Sequence, residues 1–414
     1  MNFTERRTEW RTKAVASDNA ANQMANAGDH PGRFVARVRS LATMPGAEFK
    51  KSALVVFTVI VISQAITGAL GGQSKTVRAV VSGPLSLIAG LATVALATMI
   101  LGRYVRIGIR TFRIIAGISA ALLTFVIYTG SAVRLTGSGL GCPDWPTCSE
   151  GNVVPASGAH AQIEFGNRIV TGLCVMAAGI GVLCALVRNP YRRDLVQFGL
   201  LVSLAIFSNA ILGGFTVLSG LRPELVMGHF VVALLALGTA LVLFHRAGEP
   251  GESRSLTGKD RASSVDDTTS RLSSILTAAA GVVLLMGMIV TGSGPHGGSD
   301  RQSNPVKRFP FSTYDTSRIH SLAVWIALAL VIALAVRAVR STSARSSAGA
   351  AELRRRLTVL MGVIVAQGAI GYLQYFNGVP ALLVEFHVIG ATAFFISVFW
   401  VRAAATRPHA NLTN

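Results

Sequence analysis

Four positions in this chain could do chemistry together: Asn167, His229, His320 and His387. Each lies just inside the start of a long apolar run, where a titratable group is costly and so a functional candidate by default. His320 and His387 open the second and fourth runs of one stretch of chain. Two histidines on separate helices, facing one another inside a bundle, are the usual way to hold a haem iron axially. The preceding stretch places His229 where the later one has His387, but has Asn167 in place of His320. The pattern suggests one permanent bis-histidine haem site and one site with different ligation. For His229 taken alone, a hydrogen-bonded packing residue stands as an equal reading.

Other residues at the same edge carry two readings each. Glu164, three residues before Asn167, could be a carboxylate beside a substrate haem, moving protons or stabilising developing positive charge. It could equally favour a helix N-terminus and pair with Arg168 at i+4. Arg134 could meet a haem propionate or snorkel to the interface. Trp145 reads as an interfacial aromatic, and His296 as a solvated loop histidine. Cys142 and Cys148 lie six residues apart in a polar, Gly/Pro-rich loop, which suits a disulfide if the loop faces an oxidising compartment. Without His or Cys partners at zinc spacing they do not suggest a zinc site. Cys174 and Cys184 fall inside an apolar run and read as inert core residues.

The elements that must position these residues are membrane spans. The chain has 414 residues, 51% of them hydrophobic and 14% charged. A span needs about 20 mostly apolar residues, and ten segments qualify: roughly 52–71, 84–102, 112–133, 164–186, 195–218, 225–246, 272–292, 319–339, 356–376 and 383–403. The net charge of +19 would suggest nucleic acid in a soluble protein. Here the arginines cluster in short loops between apolar runs, so the positive-inside bias accounts for them and no nucleic-acid partner is expected. Arg103, Arg106, Arg110 and Arg113, then Arg188, Arg192 and Arg193, then Arg337, Arg340, Arg345 and Arg354–Arg356, and finally Arg402 and Arg407, fall on one side. That side is predicted to be cytoplasmic, with both termini cytoplasmic and the Cys142/Cys148 loop external.

The chain also repeats itself. Thr136-Gly137-Ser138-Gly139 returns as Thr291-Gly292-Ser293-Gly294, each followed by a long loop. Asn209-Ala210-Ile211-Leu212-Gly213 returns as Gln367-Gly368-Ala369-Ile370-Gly371, and His229 as His387 at the same offset. The predicted fold is an all-α polytopic membrane protein: two tandem four-helix bundles related by internal duplication, plus two extra N-terminal hydrophobic helices. The predicted organisation is a disordered cytoplasmic tail over 1–50, an extension with two candidate spans over 51–110, and a first four-helix half over 111–247. A cytoplasmic linker over 248–271, a second four-helix half over 272–404, and a cytoplasmic tail over 405–414 follow.

The loops, histidines and repeat together resemble the haem A synthase family over about 112–403. The most specific residues are Val133-Arg134-Leu135-Thr136-Gly137-Ser138-Gly139-Leu140-Gly141-Cys142-Pro143-Asp144-Trp145-Pro146 with Cys148, and Val290-Thr291-Gly292-Ser293-Gly294-Pro295-His296. Glu164-Phe165 and Leu212-Gly213-Gly214 add to them. The resemblance implies a bacterial inner-membrane oxidoreductase that converts the C8 methyl of haem O to a formyl through successive hydroxylations, giving haem A for cytochrome c oxidase. It implies a haem b held by His320 and His387, a substrate haem at His229, Glu164 as the essential carboxylate, and a Cys142–Cys148 disulfide. The expected partners are the lipid bilayer, haem O synthase and a membrane electron donor of unknown identity; a homo-oligomer is compatible with the pattern. Two departures stand out. Asn167 occupies a position where many members carry histidine, leaving His229 to serve alone or with water or an amide. The N-terminal extension of about 110 residues has no counterpart to explain it. A b-type, quinol-linked electron carrier shares the histidines but needs neither Glu164 nor the cysteine loop. A transporter shares the repeats, but the titratable residues here gather at one face rather than at the midplane.

Overall fold

The computed structural model describes residue 40 and residues 46–69, 92–93, 95–105, 107–149, 152–155, 157–249, 266–299, 305–340 and 348–406. Nearly all of them are helical. Helix α1 is Gly46–Ala69, α2 Ile109–Leu135, α3 Ala159–Val187, α4 Arg193–Leu218, α5 Pro223–Ala247, α6 Asp267–Ser293, α7 Thr313–Arg340, α8 Ala348–Phe376 and α9 Ala381–Ala404. Eight of these, α2 to α9, are long and apolar enough to cross a membrane. Among the described residues there are only isolated β-bridges. The chain is a multi-pass, all-α membrane protein.

The eight helices match the last eight predicted spans, but several start earlier. Hydropathy marks only the apolar middle of a span, whereas the hydrogen-bonded helix runs on through its polar first turns. In α3 this adds Ala159–Ile163, and so makes His160 and Glu164 helical neighbours. The first N-terminal segment is α1. Of the second, 84–102, the described residues 92–93 and 95–102 are helical and the remainder lies outside the described residues. So do residues 1–39 and 41–45 of the predicted tail over 1–50, most of the linker and the last eight residues; residues 46–50, expected to be disordered, instead begin α1.

The described residues fall into two compact units. One joins those within Met1–Ile114 to Ile180–Val196. In it Phe49 and Tyr104 meet edge to face at 6.3 Å, Arg188 stands over the Phe112 ring, and Arg192 forms a buried two-point ion pair with Asp194 at 2.7 and 3.1 Å. Such a pair tolerates burial because both charges are hydrogen-bonded.

The other unit comprises Ile115–Gly179, Gln197–Glu249 and the described residues from there to the C-terminus. Within it α6, α7, α8 and α9 form a closed four-helix bundle, each helix packing on the next and α9 returning to α6. The core follows from spacing. Ala327, Val331, Leu334 and Ala338 on α7, and Leu353, Leu357, Leu360 and Ile364 on α8, recur at intervals of four, three and four residues. That rhythm keeps one stripe of each helix facing inward. The opposite faces keep large apolar side chains open, for example Leu322 at 61% and Trp325 at 58% exposure. Such faces suit hydrocarbon rather than water.

Candidate functional site

The four positions at the helix starts lie in one band. Asn167, His229, His320 and His387 fall within the first nine residues of α3, α5, α7 and α9, about 9–12 Å along each axis from its beginning. The two halves treat this band differently.

In the second half the rings of His320 and His387 face one another, with centroids 6.4 Å apart and planes 78° apart. Each ring rests on a glycine of a neighbouring helix: a Cβ on Gly287 would lie 3.2 Å from His320, and one on Gly371 would lie 3.3 Å from His387. His320 Nδ1 is 3.1 Å from the Val283 carbonyl. A carbonyl can only accept, so Nδ1 carries the proton and Nε2 keeps its lone pair, the tautomer a metal-binding histidine needs. Two metal–imidazole bonds of about 2 Å each, plus the ring radii, give a centroid separation of about 6 Å. The observed spacing therefore fits an iron held between the rings. His387 Nδ1 is buried with no hydrogen-bond partner. No group of three or more His, Cys, Asp or Glu suited to a metal ion occurs among the described residues.

In the first half His229 repeats the packing but not the pairing. A Cβ on Gly213 would lie 3.0 Å from its ring, as Gly371 does for His387, and its Nδ1 is also buried without a partner. Asn167 is engaged elsewhere: its Oδ1 accepts from the Thr129 hydroxyl at 2.7 Å. No hydrogen bond joins Asn167 to His229 among the described residues.

Glu164 is almost fully buried, at 5% exposure. One oxygen accepts the Cys142 N–H at 2.6 Å and the other pairs with Arg168 at 2.8 Å. The i+4 pair with Arg168 expected from the sequence is therefore present. Arg168 then reaches into the cysteine loop, donating to the carbonyls of Thr147 at 2.8 Å, Asp144 at 3.0 Å and Cys142 at 3.2 Å. Cys142 and Cys148 form a disulfide, and Cys174 and Cys184 are free and buried.

Arg134 donates to the carbonyls of Thr291 and His296. Arg308 donates to Thr291 and Gly294 nearby, and burial lowers its pKa. His296, expected to be a solvated loop histidine, is instead half-buried, with Nε2 2.8 Å from the Val379 carbonyl. Folding brings the α8–α9 turn against its loop, a long-range contact that local polarity does not announce. Trp145 also does more than mark an interface, for its indole lies on Gly214 of α4.

Reading the sequence missed two residues of the band. His160, four residues before Glu164, has Nδ1 2.9 Å from the Ser138 hydroxyl, which in turn bonds Thr136 at 2.8 Å. Glu385, two residues before His387, accepts from the Ser131 hydroxyl at 2.7 Å and so ties α9 to α2. A carboxylate inside an apolar run was the available signal for Glu385.

Comparison with known proteins agrees with this layout. The family described as cytochrome oxidase assembly protein matches residues 113–295. A heme A synthase of Bacillus pumilus (strain SAFR-032) is 28% identical over 133 residues, covering 32% of this chain and 43% of that protein. One of Geobacillus kaustophilus (strain HTA426) is 27% identical over 121 residues, 28% of this chain and 38% of that protein. One of Listeria welshimeri is 27% identical over 124 residues, 29% of this chain and 40% of that protein. The chain thus aligns with less than half the length of these curated relatives. These matches show that residues 113–295 are similar to the cytochrome oxidase assembly family, and that about a third of the chain is similar to heme A synthases.

Proposed function

We propose that this protein is a haem A synthase, an oxidoreductase that converts the C8 methyl group of haem O to a formyl group and so makes haem A for cytochrome c oxidase. The observation that carries the proposal is the pair of rings of His320 and His387 at 6.4 Å, set beside a first half that keeps His229 and Glu164 but lacks the second histidine.

In this reading 272–404 is the cofactor half, where His320 and His387 hold haem b, and 111–247 is the substrate half, where His229 ligates haem O opposite Asn167. When bound, the haem irons supply electron transfer and the oxidising chemistry at the methyl group. The protein's own residues hold, orient and exclude. The Val283 carbonyl keeps the His320 tautomer ready for ligation. Glu164 offers a carboxylate that can hold or pass a proton at the N-terminal turns of α3, and its bond to Cys142 places the cysteine loop over that end of the half. Arg134 has spent Nε and Nη2 on carbonyls, and Nη1 is the group it would offer to a propionate.

The remaining assignments go with this reading. The protein sits in a bacterial inner membrane with both termini cytoplasmic and the disulfide loop external, where an oxidising compartment keeps the bond. It takes haem O from haem O synthase, draws on a membrane electron donor and is compatible with a homo-oligomer. The residues 248–271 link the halves.

A second reading, a b-type electron carrier, is favoured by one fact: only the second half pairs its histidines. One experiment separates the two. The chain is expressed in a host that makes haem O but not haem A, and the extracted haems are separated and weighed by mass spectrometry. Haem A that disappears in Glu164→Ala supports the synthase. Bound haem b with haem O untouched supports the carrier.

A further inference from the structure

The first half contains a contact that neither the histidines nor Glu164 explain. Gly213 and Gly214 are consecutive on α4 and, one residue apart on a helix, face two different neighbours. Gly213 receives the His229 ring, and Gly214 receives the indole of Trp145, whose Cδ2 would lie 2.6 Å from a Cβ there. The ring therefore lies against bare helix backbone, beside the glycine that backs the histidine.

The loop carrying this tryptophan is fastened on every side. The Cys142–Cys148 disulfide closes it, Arg168 holds three of its carbonyls, and Glu164 takes the Cys142 N–H. Trp145 itself remains 39% exposed, so it is not a core residue buried for stability alone. The second half lacks the arrangement. Gly371 matches Gly213, but Tyr372 follows it, 51% exposed. The loop after the second turn sends Phe309 onto Gly292 at the end of α6, not onto α8.

We propose that Trp145 is a substrate-binding residue of the first-half site, the aromatic wall that a macrocycle ligated by His229 meets at the α4 glycines. A flat porphyrin is matched by a flat, rigid indole that stacks without losing side-chain freedom. Among the described residues the wall occurs in the half whose occupant must arrive and leave, and it is carried on a loop rather than a helix. This inference rests on the reading that the first half binds substrate haem.

The test uses the full-length, haem-loaded protein and follows release of haem to excess apomyoglobin. A control comes first: His229→Ala in the otherwise native chain must remove one portion of bound haem while the portion lost in His320→Ala stays. If His229→Ala removes none, the first-half haem site fails, and the role of Trp145 fails with it. With the control met, Trp145→Ala should release the His229-dependent haem about tenfold faster. Trp145→Phe should restore most of the retention, and haem held by His320 and His387 should leave at its native rate. An unchanged release rate in Trp145→Ala, or equal acceleration at both sites, overturns the proposal.

Discussion

At the same depth in its two halves, the molecule solves one packing problem twice and one chemical problem once. Gly213 backs His229 as Gly371 backs His387, so helix register and close approach are shared. Ligation is not. His320 is oriented by a carbonyl and meets His387 across 6.4 Å, whereas Asn167 is turned to Thr129 and leaves His229 unpaired. The loops differ as well: the first half has a disulfide loop locked by Glu164 and Arg168 and carrying Trp145, and the second has Phe309 on a turn glycine. The comparison teaches that the two halves share glycine–histidine packing, while single side chains and one loop set what each half can hold.

The largest expected effect comes from removing the pair. His320→Ala should abolish the low-spin, bis-histidine haem spectrum completely; an unaltered spectrum would mean that this pair is not the cofactor site. Next comes Glu164→Ala, which strips Arg168 of its partner and leaves the buried Cys142 N–H unsatisfied at a cost of about 1–3 kcal/mol. Haem A formation should cease and the disulfide should be reduced several-fold faster by an added phosphine. Loss of product with the loop unaffected would separate chemistry from loop anchoring. Asn167→His tests the asymmetry directly. It gives up the Thr129 hydrogen bond, worth about 1 kcal/mol, and should add a second low-spin haem signal with slower release from the first half. If the spectrum stays as it is, the contrast does not depend on residue 167.

The smallest effect belongs at the far end of the second bundle. Asp266 caps α6, its side chain accepting from Thr269, and also meets Arg337. Asp266→Ala should cost about 1 kcal/mol without changing either haem spectrum. Partial desolvation opposes ionisation here, but hydrogen bonds from Thr269 and Arg337 outweigh it and hold the carboxyl below its ordinary pKa. The cap's contribution is therefore full at neutral pH and fades as pH falls through the depressed pKa. Thermal unfolding of the wild type and the variant should converge in acid.

Much of this could be read without coordinates because spans and repeats are local or periodic. Apolar length marked α2 to α9, the TGSG turns and histidine offsets aligned the halves, and close spacing in a polar loop made Cys142 and Cys148 candidates for a disulfide. Residue types alone placed Glu164, Asn167 and the three histidines at the N-terminal turns of their helices, since rise per residue sets depth. What each faces required the fold. That Thr129 claims Asn167, that Glu385 reaches Ser131 254 residues away, and that Trp145 settles on Gly214 all depend on helix rotation and loop closure. Those are decided by side-chain packing across distant segments, and no periodicity in one segment encodes the partner it will find in another.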